Sequence, residues 1–453
     1  MNLLDAPHMG TAVVIGGSIA GTLAAWALCG YAELVVVVDR DHLPDGPEFR
    51  NGVPQGRHAH LLLPGGQDAL EEVMPGAREE LLTAGATAVG MSTDLHWLTP
   101  AGWLAKHAPE GTLVTCTRPV IEHVIRRRVY SASGPRSIGG TEIRFVDGGE
   151  VVGLVGSARA VTGVRIRRRG NFTEFHQPAE MIVDASGRSS KMARWLAEIG
   201  CAEIPTKTVD PGVAYSTRMF HRPPGAPGRQ ALYIQATATQ PWTGALLPVE
   251  GDRWIVSLGG MRGHEPGPGT LGFAKMLAQL QLRAPVFTDT VSGAVPVDDR
   301  VYGMRPGASV RRAYHDRVTP AGLVALGDAH TSVNPVYGQG MTVAIKSAQA
   351  LRAAVHSHDG IGHAAARSAC RRIGLVSLES WLMSSAEDVR YPETTGGPSG
   401  HGLAAAQRAR DRILERATVD APVAAAFEHT MSLRGRTALL RPRVLMSLLT
   451  GGH

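Results

Sequence analysis

One stretch near the start of the chain, Thr11 to Asp39, limits the choice of fold more than any other. It is apolar for long enough to raise the question of a membrane span, but Gly16, Gly17, Gly21 and Gly30 interrupt it at turn positions. Thr11 to Ile15 is a short β-branched run, and Gly16-Gly17-Ser18-Ile19-Ala20-Gly21 is a tight turn. Thr22 to Leu28 is an Ala/Leu helix, and Leu34 to Val38 is a second apolar run ending at Asp39. The order strand, turn, helix, strand, acid is that of a βαβ unit with two buried parallel strands. In such a unit Gly16 permits the sharp turn, the turn amides and the helix N-terminus face a pyrophosphate, and Gly21 lets helix and strand approach closely. Asp39 is placed to accept from ribose hydroxyls. Ser18 stands where the fingerprint prefers glycine, narrowing the approach to the phosphate while adding a hydroxyl donor. The segment is therefore expected to bind a dinucleotide.

A second element, late in the chain, narrows which one. A buried strand from Leu323 to Leu326 ends at Gly327-Asp328, a loop fixed by Pro335 follows, and Gly338 and Gly340 open a helical pattern running from Thr342 to about Val355. NAD has no use for this element, but the longer FAD does. Asp328 is placed to bind ribityl hydroxyls, and the amides of Gly340 and Met341 to meet the pyrimidine edge of the ring. The helix N-terminus there supplies partial positive charge to a reduced, anionic flavin.

These segments resemble those of the FAD-dependent monooxygenases of the aromatic-hydroxylase fold. The likeness rests on Gly16 to Gly21 with Asp39-Arg40, on Asp184-Ala185-Ser186-Gly187-Arg188, and on Gly327-Asp328 through Gly340-Met341. Arg118, in Thr117-Arg118-Pro119-Val120-Ile121-Glu122, looks like the family arginine that begins a helix and reaches back to the cofactor. Within the family, Arg50 to Gly66 and Asn334 to Met341 are most similar to squalene-epoxidase-like enzymes, especially bacterial epoxidases of polyene chains that become polyethers. The resemblance implies Gly16, Gly17, Ser18, Ala20, Gly21, Asp39, Arg40, Arg118, Asp328, Pro335, Gly338, Gly340 and Met341 as cofactor-binding residues. His60, Tyr215 and Tyr337 are expected at the substrate.

The implied chemistry is transfer of one oxygen atom from a flavin C4a-hydroperoxide to a carbon–carbon double bond, which requires an apolar, water-excluding pocket. An alkene attacks with its own π electrons, so no catalytic side chain is expected beyond those that position the flavin. The alternative is hydroxylation of an aromatic or polyketide ring, which is helped by a base. The expected substrate is small, apolar and unsaturated, the oxidant is dioxygen, and the reductant is NAD(P)H acting directly or through a separate flavin reductase. The setting expected is secondary metabolism, including polyketide and antibiotic biosynthesis. There is no Trp-x-Trp-x-Ile-Pro segment of a halogenase, no G-x-S-x-G elbow and no P-loop.

The expected fold is α/β: a Rossmann-like FAD-binding domain with a parallel central sheet, a mixed or antiparallel substrate-domain sheet, and a C-terminal helical region. Residues 1–90, 118–204 and 301–352 are assigned to the first, 91–117 and 205–300 to the second, and 353–453 to the third. Short alternating runs in Met91 to Thr117 and Asp210 to Gly260 read as antiparallel strands, with Trp97, Trp103, Tyr215, Tyr233, Trp242 and Tyr337 as candidate cavity aromatics. The tail Leu439 to Leu449 is amphipathic and expected to pack on the body.

Basic residues number 46 against 40 acidic, a surplus of +6 with no dense run, so no nucleic-acid partner is expected. Arg126-Arg127-Arg128 and Arg167-Arg168-Arg169 read as solvated charge on a helix and on a strand edge. The four cysteines form no C-x-x-C pair, which fits a reducing cytoplasm and no metal. His58 and His60 have no third ligand at a recognisable spacing. Met1 to Gly10 lacks a basic apolar leader, and no stable membrane insertion is expected.

Overall fold

The computed structural model describes residues 10–108, 110–131, 138–170, 173–314 and 319–450; the leader expectation, made on Met1 to Gly10, falls almost wholly outside them. At its centre is a five-stranded parallel sheet in the order Leu323–Ala325, Met181–Asp184, Thr11–Ile15, Leu34–Asp39, Glu142–Asp147. Val13, Val14, Val35 to Val38, Ile182 and Val183 are buried, as strands covered on both faces require. The helices Ile19–Leu28 and Gly340–Ser357 pack together, and Pro64–Val73, Arg118–Ser131 and His363–Asp388 build outward from them. From Thr11–Ile15 the chain adds strands first on one side and later on the other, so the strand order reverses there and a crevice opens at its C-terminal end, where open α/β sheets place ligands. A three-stranded antiparallel ribbon, Gly149–Gly156, Val161–Arg168 and Glu174–Pro178, joins the outermost strand to Met181–Asp184. Of Arg167-Arg168-Arg169, the first two thus end the middle strand of the ribbon rather than lying on an edge strand, and Arg169 follows it.

The second large sheet has eight strands. Its path runs Val295–Pro296, Ala214–His221, Arg253–Gly260, Trp242–Val249, Ala231–Ile234, Leu95–Thr99, Gly102–Trp103, and Tyr302–Met304 also pairs with Ala214–His221. The sheet is mixed, not wholly antiparallel: Leu95–Thr99 runs parallel to Ala231–Ile234. Tyr302–Met304 carries it past residue 300, into a segment assigned to cofactor binding. Helices Gly269–Gln281 and Pro285–Ser292, absent from the sequence reading, bury Phe273, Met276, Leu280 and Phe287 against Leu232, Leu246, Trp254, Val256 and Leu258 on its outer face. Each such side chain contributes roughly 1.5–3 kcal/mol on burial. The inner face is turned toward the parallel sheet and is closed at one end by the helices His401–Ala417, Ala421–Met431 and Pro442–Thr450. Val444 of the last helix is buried while Met446 and Leu449 point outward, so the tail packs on the body by one side only. Among the described residues no helix is long and apolar enough to cross a membrane.

Candidate functional site

Alternation along the strands decides what the large sheet shows to its interior. Cross-strand register sets Trp97, Tyr233, Ala245, Ser257 and Thr217 in one row, with Thr243, Gly259 and Tyr215 in the next. The small residues Ala245 and Gly259 in mid-row leave a hollow that the aromatic ends flank. The same parity turns Trp242 outward, where its ring meets His264, and Trp103 is exposed; neither joins the cavity. Opposite the row, His58 Nδ1 lies 2.7 Å from Thr217 Oγ1, Thr217 Oγ1 2.7 Å from Ser257 Oγ, and the Ala59 amide donates to Ser257 Oγ at 3.0 Å. These contacts pin the 58–60 segment across the sheet.

The resulting cavity, about 510 Å3, is continuous with the crevice of the parallel sheet. Its wall includes Ser18, Ile19, Ala20, Arg40 and Arg118 at one end, and Asp328, Pro335, Tyr337, Gly338, Gly340 and Met341 along its length. His58, His60, Trp97, Tyr215 and Tyr233 complete the inner part. Burial lowers both imidazoles, His58 to about 4 and His60 to about 3, the latter also through Arg118. Both rings are therefore neutral near pH 7, and the inner chamber carries no histidine charge. Among the described residues no His, Cys, Asp and Glu side chains cluster as a metal site.

The remaining expected residues sit behind this wall. Gly16 has φ +101°, and a Cβ there would lie 2.8 Å from the Ala185 carbonyl oxygen. At Gly21 a Cβ would come within 1.7 Å of the Gly16 carbonyl oxygen, so only glycine allows this helix to start so close to the strand. Asp39 accepts from the Gly17 amide at 2.6 Å and from the Asp41 amide at 2.8 Å. It is buried, and it holds the turn rather than facing the open cavity. Asp184, quoted in the family likeness, is fully buried and holds Ser186 and Ser190. Burial raises its carboxyl pKa.

Four sets of contacts escaped the sequence reading. Arg50 donates to Glu122 at 2.8 Å and reaches Asp39 and Asp41 at 3.3 and 3.4 Å. Arg118 donates to Glu122 at 2.8 Å and to Ser18 Oγ at 2.8 Å, and Ser18 Oγ donates to Glu122 at 2.6 Å. Burial alone would raise Glu122, but the two guanidinium groups outweigh it and hold it at about 2. The Arg118–Glu122 spacing of one helical turn was a readable sign; the Arg50 contact was not. Arg126, read as solvated, is buried and donates to the Pro44 and Gly46 carbonyls. Arg188 pairs with Asp328 at 3.5 Å and donates to the Val333 carbonyl. Asp388, at the end of helix His363–Asp388, accepts from Asn334 Nδ2 at 2.8 Å and Tyr337 Oη at 2.9 Å. It thereby ties down the turn Pro335–Tyr337 that precedes Gly340.

FAD is the group the fold implies, and the residues present fit it. Ser18 to Ala20 of the glycine-shaped turn, the Arg118 guanidinium that donates to Ser18, and the Asp328 carboxylate next to the helix N-terminus at Gly340 all line one hollow. Among the described residues beyond its own helix, a Cβ on Gly340 would meet nothing nearer than Asp328 Oδ1 at 3.8 Å, and Gly340 lines the cavity.

Solved structures share this fold. The p-nitrophenol 4-monooxygenase PnpA of Pseudomonas putida DLL-E4 superposes with a TM-score of 0.62 at 18% identity, over 94% of this chain and 100% of that one. A flavoprotein/dehydrogenase of Cytophaga hutchinsonii gives 0.64 at 12% identity, over 97% and 96%. CmlS, a flavin-dependent halogenase, gives 0.62 at 16% identity, over 95% and 78%. No protein-family model matches the chain. Among curated proteins, Protein Rv3254 of Mycobacterium tuberculosis (strain ATCC 25618 / H37Rv) is 30% identical over 434 residues, covering 93% of this chain and 89% of that protein. The chain belongs to the same family as Rv3254 and is built on the fold of the flavin-dependent monooxygenases and halogenases.

Proposed function

We propose that this chain is an FAD-dependent monooxygenase that adds one atom of dioxygen across a carbon–carbon double bond of an apolar, unsaturated metabolite of the polyene or polyketide type. The observation that carries the reading is the single cavity joining Ser18, Arg40 and Arg118, through Asp328, Gly340 and Met341, to the aromatic row of the large sheet. Bound and reduced, the flavin supplies the electrophilic oxygen. Gly16 to Gly21, Arg40 and Arg118 bind the pyrophosphate end, with Asp39 holding the turn. Asp328 takes ribityl hydroxyls, and Pro335, Gly338, Gly340 and Met341 orient the ring. His60, Tyr215 and Tyr337 touch the substrate. Neutral histidines, Leu63, Leu95, Leu113 and Leu247 keep the inner chamber apolar and exclude water. Electrons come from NAD(P)H directly or through a flavin reductase, in the cytoplasm. The likeness of Arg50 to Gly66 to squalene-epoxidase-like enzymes supports epoxidation.

One observation favours the second reading, hydroxylation of an aromatic or polyketide ring. Tyr337, in the cavity wall, donates to Asp388, whose carboxyl is raised by burial to about 7, giving a route for a phenolic proton that an alkene does not need. Mass spectrometry after turnover with labelled dioxygen separates the two. One labelled atom across an alkene is expected; label on an aromatic ring selects hydroxylation, and product without label from dioxygen overturns both.

A further inference from the structure

If FAD lies along the crevice as proposed, it stands between solvent and the inner chamber on the side of Arg40, Pro54 and Arg305. A substrate then needs another way in, and the geometry points to one. A second hollow, about 60 Å3, is framed by Ser92, His96, Trp103, Leu104, Ala105, Lys106 and Glu428. Leu95 and Trp97 belong to the walls of both hollows and so form the partition between them. Trp97 lies at the opposite end of its sheet row from Thr217, the partner of His58, and Leu95 stands two residues along the same strand.

The frame of this outer hollow is fastened down. His107 Nε2 lies 3.0 Å from a carboxylate oxygen of Glu428, and the Ala105 amide donates to the Ala417 carbonyl at 2.9 Å. The strand stretch Gly102–Trp103 and the segment after it are thereby clamped to helices His401–Ala417 and Ala421–Met431. The Trp97 indole is held differently. Its ring leans on Tyr233 at 5.5 Å and on Phe427 at 5.4 Å, and its buried N–H has no hydrogen-bond partner among the described residues. For this buried ring to swing aside only its packing on Tyr233 and Phe427 has to yield, because no hydrogen bond has to break.

We propose that Trp97 is the gate and size-selecting residue through which substrate reaches the cavity from the outer hollow, which favours flat or chain-like uncharged molecules about one ring thick. The inference rests on the proposed FAD-dependent function, because it is the bound cofactor that closes the other mouth.

The test uses FAD-loaded protein and two fluorescent probes, 2-naphthol and the broader 1-hydroxypyrene, mixed in stopped flow. Trp97→Ala speeds 1-hydroxypyrene association about tenfold and 2-naphthol less than about threefold, within the span over which association rates vary among variants of one site. Trp97→Phe, which keeps an aromatic plug, gives an intermediate rate and serves if the alanine variant fails to fold. Ala105→Phe lies in the outer hollow and outside the cavity wall. It slows both probes about tenfold while probe affinity and flavin content stay at wild-type values. Wild-type rates in both Trp97→Ala and Ala105→Phe overturn the gate. Wild-type protein that takes up no FAD overturns the functional reading instead, so the two failures are told apart.

Discussion

Asp388 offers a quantitative test of how the turn before Gly340 is held. Its side-chain hydrogen bonds from Asn334 and Tyr337 arrive at Oδ1, and the buried Oδ2 has no partner among the described residues. Burial is the largest influence on its carboxyl; Asn334 and Tyr337 oppose it, and the neighbouring Glu387 and Asp210 add to it, leaving a value of about 7 against an ordinary 3.8. Tyr391 and Tyr215 also face it. The native state thus keeps a proton that the unfolded chain releases. No cost is present below about pH 4; it grows as pH rises toward about 7 and is constant above that. Converted at about 1.4 kcal/mol per tenfold change in proton affinity, the gap amounts to ~4 kcal/mol at most. Asp388→Asn keeps the shape and an acceptor for Asn334 and Tyr337 without the charge. In denaturant unfolding, variant and wild type should coincide near about pH 4, and the variant should be the more stable by up to ~4 kcal/mol near about pH 8. A stability difference that does not change between those two conditions refutes the reasoning.

Gly21→Ala forces a carbon into the Gly16 carbonyl and should cost more than ~3 kcal/mol, whereas Gly340→Ala should leave the thermal midpoint within about 1 °C, as scanning calorimetry would show. Glu122→Ala strands Arg50 and Arg118 and should cost ~3–5 kcal/mol in urea unfolding; a loss under ~1 kcal/mol would mean the network is not holding the turn. His58 and His60 should remain neutral down to about pH 5 in proton NMR, so stability falls as pH drops from 6.5 through about 4; midpoints near 6.5 would contradict their burial. Asp328→Ala should release flavin on gel filtration, and retained stoichiometric flavin absorbance would remove the proposed ribityl contact.

Local chemistry made the cofactor half of the fold legible. Thr11–Ile15 and Leu34–Asp39 stand where β-branched runs between glycines put them, and the late helix begins at Gly340, two residues before the periodic pattern. The substrate half was readable only as strands, because alternation tells which residues share a face but not which strand lies alongside. Leu95–Thr99 therefore found a parallel partner more than a hundred residues away that no local signal names. Parity alone would have excluded Trp242, since Thr243, Ala245 and Leu247 face inward. Arg50 and Asp388 act through contacts with residues 72 and 54 positions distant, and nothing at either position distinguishes it from a surface charge until the chain is folded.

The most direct measurement is the visible absorption spectrum of the purified chain, titrated with FAD. The account predicts a bound flavin band that saturates at one cofactor per chain and weakens in Asp328→Ala. A protein that stays colourless after reconstitution, with free FAD passing through a desalting column unretained, contradicts it.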